Sequence, residues 1–235
     1  MDAHPDGIST IFPLPLRLPF DGRWVAGNSP ARRVPSHGTD LFGSRFAIDF
    51  VAVDDRRRTA IRRDWRAITG SEPPELFLAF GRPVLAPTAG TVVVAHDGEE
   101  DHLAHRSPVT GVPYLLGQRR RALGGAAAIA GNHGILHVGH AYVAVVHLQR
   151  GSVVVREGQD VAEGEVVAGC GNSGNSTQPH VHVQAMTSLD LDRADGLPIA
   201  FTNFREWRRG RRRWEDVEIG MPQERSIVEA RSLDA

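Results

Sequence analysis

The chain has 235 residues, 41% of them hydrophobic and 23% charged, with a formal net charge of −1. Those proportions are those of a globular protein able to bury a core, and the charge balance excludes a protein built mainly to hold nucleic acid. Eleven histidines stand beside one cysteine, which excludes an intrachain disulfide and a Cys-rich structural zinc site while leaving ample imidazole for a His-based metal site. No stretch reaches the ~18 consecutive apolar residues of a membrane span. The start has no basic segment followed by an apolar run, so the sequence predicts the cytoplasm, or an extracytoplasmic protein if an export segment is missing from it.

Gly and Pro are frequent (25 and 15) and punctuate short Val- and Ile-rich runs, the pattern of a β-rich protein. The expected strands are 46–53, 91–95, 134–138, 142–148, 152–156, 165–168 and 180–185, several alternating apolar and polar residues with period two. Residues 1–36 are expected to add peripheral strands. The core is expected over 37–190, with an insertion around 97–131 holding a helix near Pro113–Leu123. Segments 83–92 and 153–168 each read as strand, Gly-containing turn and strand. Residues 54–70 read as a charged loop or short helix, and Cys170 as a small buried hydrophobe. Residues 191–235 read as further strands and a tail, starting with strand-like text over 198–204. The arginine- and tryptophan-bearing tract 205–214 reads as an edge strand with a solvated charged face, as does the charge cluster at 56–66. The fold class is therefore mainly β: a single antiparallel β domain with a groove over the sheet.

The strongest local signal is the run from Gly171 to His182, a polar loop leading into Pro179-His180-Val181-His182. Residues two apart on a strand face the same side, so both imidazoles project into one site. Alone, such a pair is as readily structural as functional. Asp49 lies among apolar neighbours in Phe46–Phe50, where an ionised carboxylate needs a cation. His37 sits in the loop Pro35-Ser36-His37-Gly38, and His147 ends the apolar run 143–148. Each has an ordinary structural reading when taken singly.

Together, the order His37, Asp49, His147, His180-x-His182 resembles the LytM/lysostaphin-type zinc endopeptidases, which cut peptide bonds in bacterial peptidoglycan. The likeness runs from His37 to Met186. It takes in Pro83–Val92, Gly131-Asn132 ahead of His147-Leu148, and the closing Gly171–His182 run. The resemblance implies that His37, Asp49 and His182 hold Zn2+, with an open fourth position, and that His147 and His180 are catalytic. It implies a peptide or peptidoglycan substrate cut by a metal-activated water with a histidine base. The chain departs from the family in two places. Eleven residues separate His37 from Asp49 where the family has three, with Asp40 a rival carboxylate, and Gln184 stands where the family often has Glu. The alternative is a peptidase-like binding or regulatory module without activity. A lipoyl-carrier module, suggested by the hairpin patterns, is excluded because the chain contains no lysine. The cleaved bond, the oligomeric state and the native metal are left open by the sequence.

Overall fold

In the computed structural model, which describes residues 12–62, 70–107, 109–110 and 126–231, strands dominate. Among these residues they form a twelve-stranded sheet and a two-stranded one. The first strand is β1 (Leu14–Arg17), followed by β2 (Arg23–Gly27), β3 (Ile48–Ala52), β4 (Pro83–Leu85) and β5 (Gly90–His96). Then come α1 (Ala126–Ala130), β6 (Asn132–Val138), β7 (Ala141–Leu148), β8 (Asp160–Val161), β9 (Val166–Gly169) and β10 (Val181–Met186). The chain ends with β11 (Gly196–Leu197), β12 (Ile199–Trp207), β13 (Glu215–Gly220) and β14 (Ile227–Ala230). The main sheet runs β1-β12-β14-β2-β3-β10-β7-β6-β5-β8, with β11 on β10 and β13 on β12. All its pairings are antiparallel except β1 against β12, which is parallel. The domain is thus mainly β, as its sequence pattern predicts.

Period-two alternation decides which side of the sheet is core. Ile48, Phe50 and Ala52 of β3 are buried with Val143 and Val145 of β7 and Val181, Val183 and Ala185 of β10, against Trp24, Phe20 and Phe201. The alternate residues, Asp49 on β3, Ala144 and Val146 on β7, and His182, Gln184 and Met186 on β10, line a groove on the opposite face. A one-residue slip in any of these strands would exchange the two sets, so burial of the aliphatic set fixes the position of the polar one. Among the described residues no helix is long and apolar enough to cross a membrane.

Several expectations need correction. Segment 83–92 does not close on itself as a hairpin: β4 pairs with β9, while β5 pairs with β6 and β8. Residues 152–156 form no strand: the Val154 N–H donates to Val167 O at 3.0 Å, but the Ser152 N–H turns back to Gln149 O and the Arg156 N–H to Gln159 Oε1, each at 3.2 Å. The Asp97 carboxylate accepts from the Gly151 and Val153 N–H groups at 2.8 and 3.2 Å. Arg205–Trp207 is not at a sheet edge, since β12 is flanked there by β13 and β14. The helix expected near Pro113–Leu123 and residues 63–69 of the charged segment lie outside the described residues.

Cys170 has no exposed surface, and burial pushes its thiol far above the usual range. Its reaction with a thiol reagent in the folded protein should therefore be undetectable over minutes and become complete in denaturant. Titration of free thiol with and without denaturant checks this.

Candidate metal centre

Asp49 is the hub of the groove. Its Oδ1 lies 2.9 Å from His182 Nδ1 and 3.7 Å from His180 Nε2, and its Oδ2 lies 3.1 Å from His37 Nε2. Asn28 Nδ2 donates to the same Oδ2 at 2.7 Å. One potential ligand atom each from His37, Asp49 and His182 falls within 4.8 Å of the others, and among the described residues this is the group able to hold a metal ion. Register explains the pairing of Asp49 with His182, which are directly opposed on β3 and β10. Asp40 does not join them: it lies outside the groove and accepts two bonds from Arg45 Nη1, both 2.9 Å.

His37 arrives by a different route. The residues after it pass through a 3-10 turn over Leu41–Phe46 and return, so that the Ser36 N–H donates to Arg45 O at 3.0 Å. The loop is thereby closed at its base, and the eleven intervening residues are accommodated without moving His37 away from Asp49. The same turn supports His182, because Gln184 Nε2 donates to Phe42 O at 2.8 Å.

That last bond determines a tautomer. With its amino group on the Phe42 carbonyl, Gln184 presents Oε1 to His182 Nε2 at 3.0 Å, and a carbonyl oxygen only accepts. His182 therefore carries a proton on Nε2, and unless Nδ1 is protonated as well, its Nδ1 lone pair stands against the Asp49 carboxylate at 2.9 Å. Two acceptors so close need a cation between them, a proton or a metal ion. The donor set of two imidazoles and a carboxylate suits a catalytic zinc, which keeps a further position open. Burial opposes ionisation of Asp49, but the imidazoles of His37 and His180 and hydrogen bonds from His182 and His37 outweigh it, holding its carboxyl well below the usual range. For His37, burial disfavours the imidazolium, yet the neighbouring Asp49 carboxylate prevails and raises its pKa.

His147 and His180 have a different setting. His147 is an extra residue in the β6–β7 ladder, since Asn132 pairs with Leu148 and His133 with Val146. Its φ of 64° is in the left-handed region, sparsely populated by non-glycine residues and found at bulges that re-aim a side chain. His147 Nδ1 donates to Ser173 O at 2.9 Å, and His180 Nδ1 donates to Gln178 O at 2.8 Å. Each keeps a lone pair on Nε2, and the two ring centroids are 4.6 Å apart. Burial, with the nearby imidazoles of His180 and His182, pushes the His147 pKa well below normal; burial also lowers that of His180. Both are held as neutral imidazoles. These five residues share a groove of about 790 Å³ whose lining also includes the apolar Ile135, Ala144, Val146 and Met186.

Further residues support this arrangement. Ser173 Oγ accepts from the Asn132 N–H at 3.0 Å and donates to Leu148 O at 2.8 Å, and Asn132 Nδ2 also donates to Leu148 O at 3.1 Å. This knot fixes both sides of the bulge. The segment after β5 is stitched to the same loop, with the His105 N–H donating to Thr177 O at 2.7 Å. Asn28 and Ser173 were not singled out by sequence reasoning. Asn28 follows β2 with no motif around it, and Ser173 lies inside the recognised run but offers nothing in its type to mark it.

Residues 121–193 match the model of Peptidase family M23, which bears out the resemblance to LytM/lysostaphin-type peptidases. The matched stretch contains His147, His180 and His182, whereas His37 and Asp49 precede it. No curated protein matches the chain. Among solved structures, the catalytic domain of lysostaphin from Staphylococcus simulans is similar at 17% identity, over 75% of this chain and 88% of that one, with a TM-score of 0.37. The catalytic domain of a mutant of the prophage-encoded M23 protein EnpA from Enterococcus faecalis shares 15% identity over 65% of this chain and 73% of that one, with a TM-score of 0.36. A zinc containing peptidase from Vibrio cholerae shares 17% identity over 64% and 48% of the two chains, with a TM-score of 0.31.

The bulge depends on a close approach of two glycines. A Cβ on Gly131, whose φ is +63°, would lie 2.5 Å from Ser173 Oγ and 2.6 Å from the Gly174 nitrogen. Gly131→Ala should therefore cost about 1–3 kcal/mol, lowering Tm by several degrees in a thermal melt followed by circular dichroism.

Proposed function

We propose that this chain, which carries an M23-type peptidase segment over residues 121–193, is a zinc-dependent endopeptidase acting on peptide bonds of peptidoglycan. The observation that carries this reading is the convergence of one potential ligand atom each from His37, Asp49 and His182 within 4.8 Å, with His182 Nδ1 aimed at Asp49 by the Gln184 bond to Phe42 O. In this reading His37, Asp49 and His182 hold the metal, and His147 and His180 work on the reacting groups. Bound zinc supplies a Lewis acid that acidifies water and polarises the scissile carbonyl.

The protein's own contribution follows from its tautomers. His147 and His180 each spend Nδ1–H on a backbone carbonyl, so Nε2 is the nitrogen that meets substrate. One of them accepts the proton of the attacking water and returns it to the leaving amine. The other takes up a proton from solvent at Nε2 as charge develops on the carbonyl oxygen and donates a hydrogen bond to that oxyanion. Fixing each ring by its own carbonyl removes the need to reorganise during the reaction. The apolar floor of Ile135, Ala144, Val146 and Met186 keeps the site poor in water, which strengthens these charge interactions.

Elemental analysis of the purified protein tests the metal. The wild type should contain near-stoichiometric zinc, and Asp49→Ala and His182→Ala should lose it. A wild type that stays empty when zinc is supplied would overturn the reading and favour a peptidase-like binding module. His147→Ala and His180→Ala should each keep zinc yet lower hydrolysis of peptidoglycan fragments by roughly 10²–10⁴-fold, the usual worth of a positioned acid–base group, as measured by release of new amino termini.

A further inference from the structure

Two arginine-bearing loops, far apart in sequence, meet on the outer surface of the sheet. One follows β3 and carries Arg56, Arg57 and Arg58; the other is the β12–β13 hairpin, with arginines at 208, 209, 211, 212 and 213. They join where the Arg57 guanidinium stacks 3.6 Å from the Trp207 ring centroid. Within the loops, three arginines are neutralised: Arg58 by Asp54 at 2.7 Å, Arg208 by Glu206 at 2.7 Å and Arg211 by Glu215 at 3.6 Å. Arg56, Arg57, Arg209, Arg212 and Arg213 are exposed, and among the described residues none has a carboxylate within 4 Å. A chain of net charge −1 therefore carries five uncompensated arginines on two loops that meet at the Arg57–Trp207 contact, at a repulsive cost that a polyanion would relieve.

The aromatic residues beside the patch indicate what it does not read. Trp207 is covered by Arg57, and Trp214 has Arg23 and Arg205 at 5.5 and 5.0 Å from its centroid. Indole faces occupied by guanidinium are not platforms for nucleic-acid bases, which single-strand binders stack on open aromatic rings. We propose that this patch is a docking surface for a linear, phosphate-bearing polymer without bases, recognised by charge through Arg56, Arg57, Arg209, Arg212 and Arg213. Guanidinium groups suit phosphate because their paired N–H donors match its oxygens. The surface is built from residues outside the groove, so its role is independent of the peptidase reading.

The test is binding of long-chain inorganic polyphosphate to the full chain, followed by fluorescence anisotropy across a salt series. Five phosphate contacts predict a slope of log affinity against log salt on the order of −3 to −5. Arg209→Ala/Arg212→Ala/Arg213→Ala should reduce the slope by about 2–3 and weaken binding at least ~tenfold, while the corresponding triple lysine variant retains most of it. Should the triple alanine variant fail to fold, Arg56→Gln with Arg209→Gln carries the same expectation with a smaller loss. Arg156→Ala, on a distant exposed turn, should change nothing. Absence of polyphosphate binding at low salt, or equal binding by the folded alanine variant, overturns the proposal. Tighter binding to a single-stranded oligonucleotide, or to anionic lipid vesicles, than to polyphosphate at equal charge overturns the assignment of the partner.

Discussion

A carboxylate set on a central strand of the main sheet imposes its requirements on everything around it. Asp49 is 14% exposed at its side chain, and water alone cannot meet the cost of keeping it ionised there. The fold answers with His37, His182 and the Asn28 amide, all within 3.1 Å of its oxygens. Gln184 and Phe42 then hold His182 with Nε2 turned to the Gln184 oxygen and Nδ1 aimed at the carboxylate. Two imidazoles and a carboxylate so placed are a donor set of the kind that borderline-soft zinc accepts.

The remaining two histidines of the groove are treated in the opposite way. His147 and His180 are given carbonyl partners and buried surroundings, so they are held neutral with Nε2 unoccupied. Environment thus divides neighbouring polar side chains in two: the Asp49 carboxyl and His37 are shifted toward their charged forms, His147 and His180 toward their neutral ones. The strained backbone at His147 is retained because the Asn132–Ser173 knot ties down both sides of the bulge, and local strain of this kind persists only where surrounding structure over-determines it.

Much of the sheet is legible in the chain because period-two alternation is a local property. The runs around Ile48–Ala52, Asn132–Val138, Ala141–Leu148 and Val181–Met186 each announce a strand with one buried face. The errors fall where a non-local group intervenes. Val153 has the residue type of a strand, yet its N–H and that of Gly151 go to Asp97, 56 and 54 residues away. Pro83–Leu85 pairs with β9 instead of its sequence neighbour β5, a choice made by packing and not by turn chemistry.

For the site, the sequence by itself supplied residue types and order: a His-x-His at a strand entrance, an aspartate in an apolar run and a histidine ending another. Those patterns are short, and the physics behind them acts over a few residues. Tertiary structure alone decided that His37, separated from its expected partner by eleven residues, folds back beside Asp49 while Asp40 turns away to Arg45. It also decided which nitrogen of His147, His180 and His182 meets a hydrogen-bond acceptor within the protein, since the carbonyls of Ser173, Gln178 and, through Gln184, Phe42 reach the site. Loop closure and carbonyl placement depend on where distant backbone segments come to rest, and no window of sequence around a histidine contains that information.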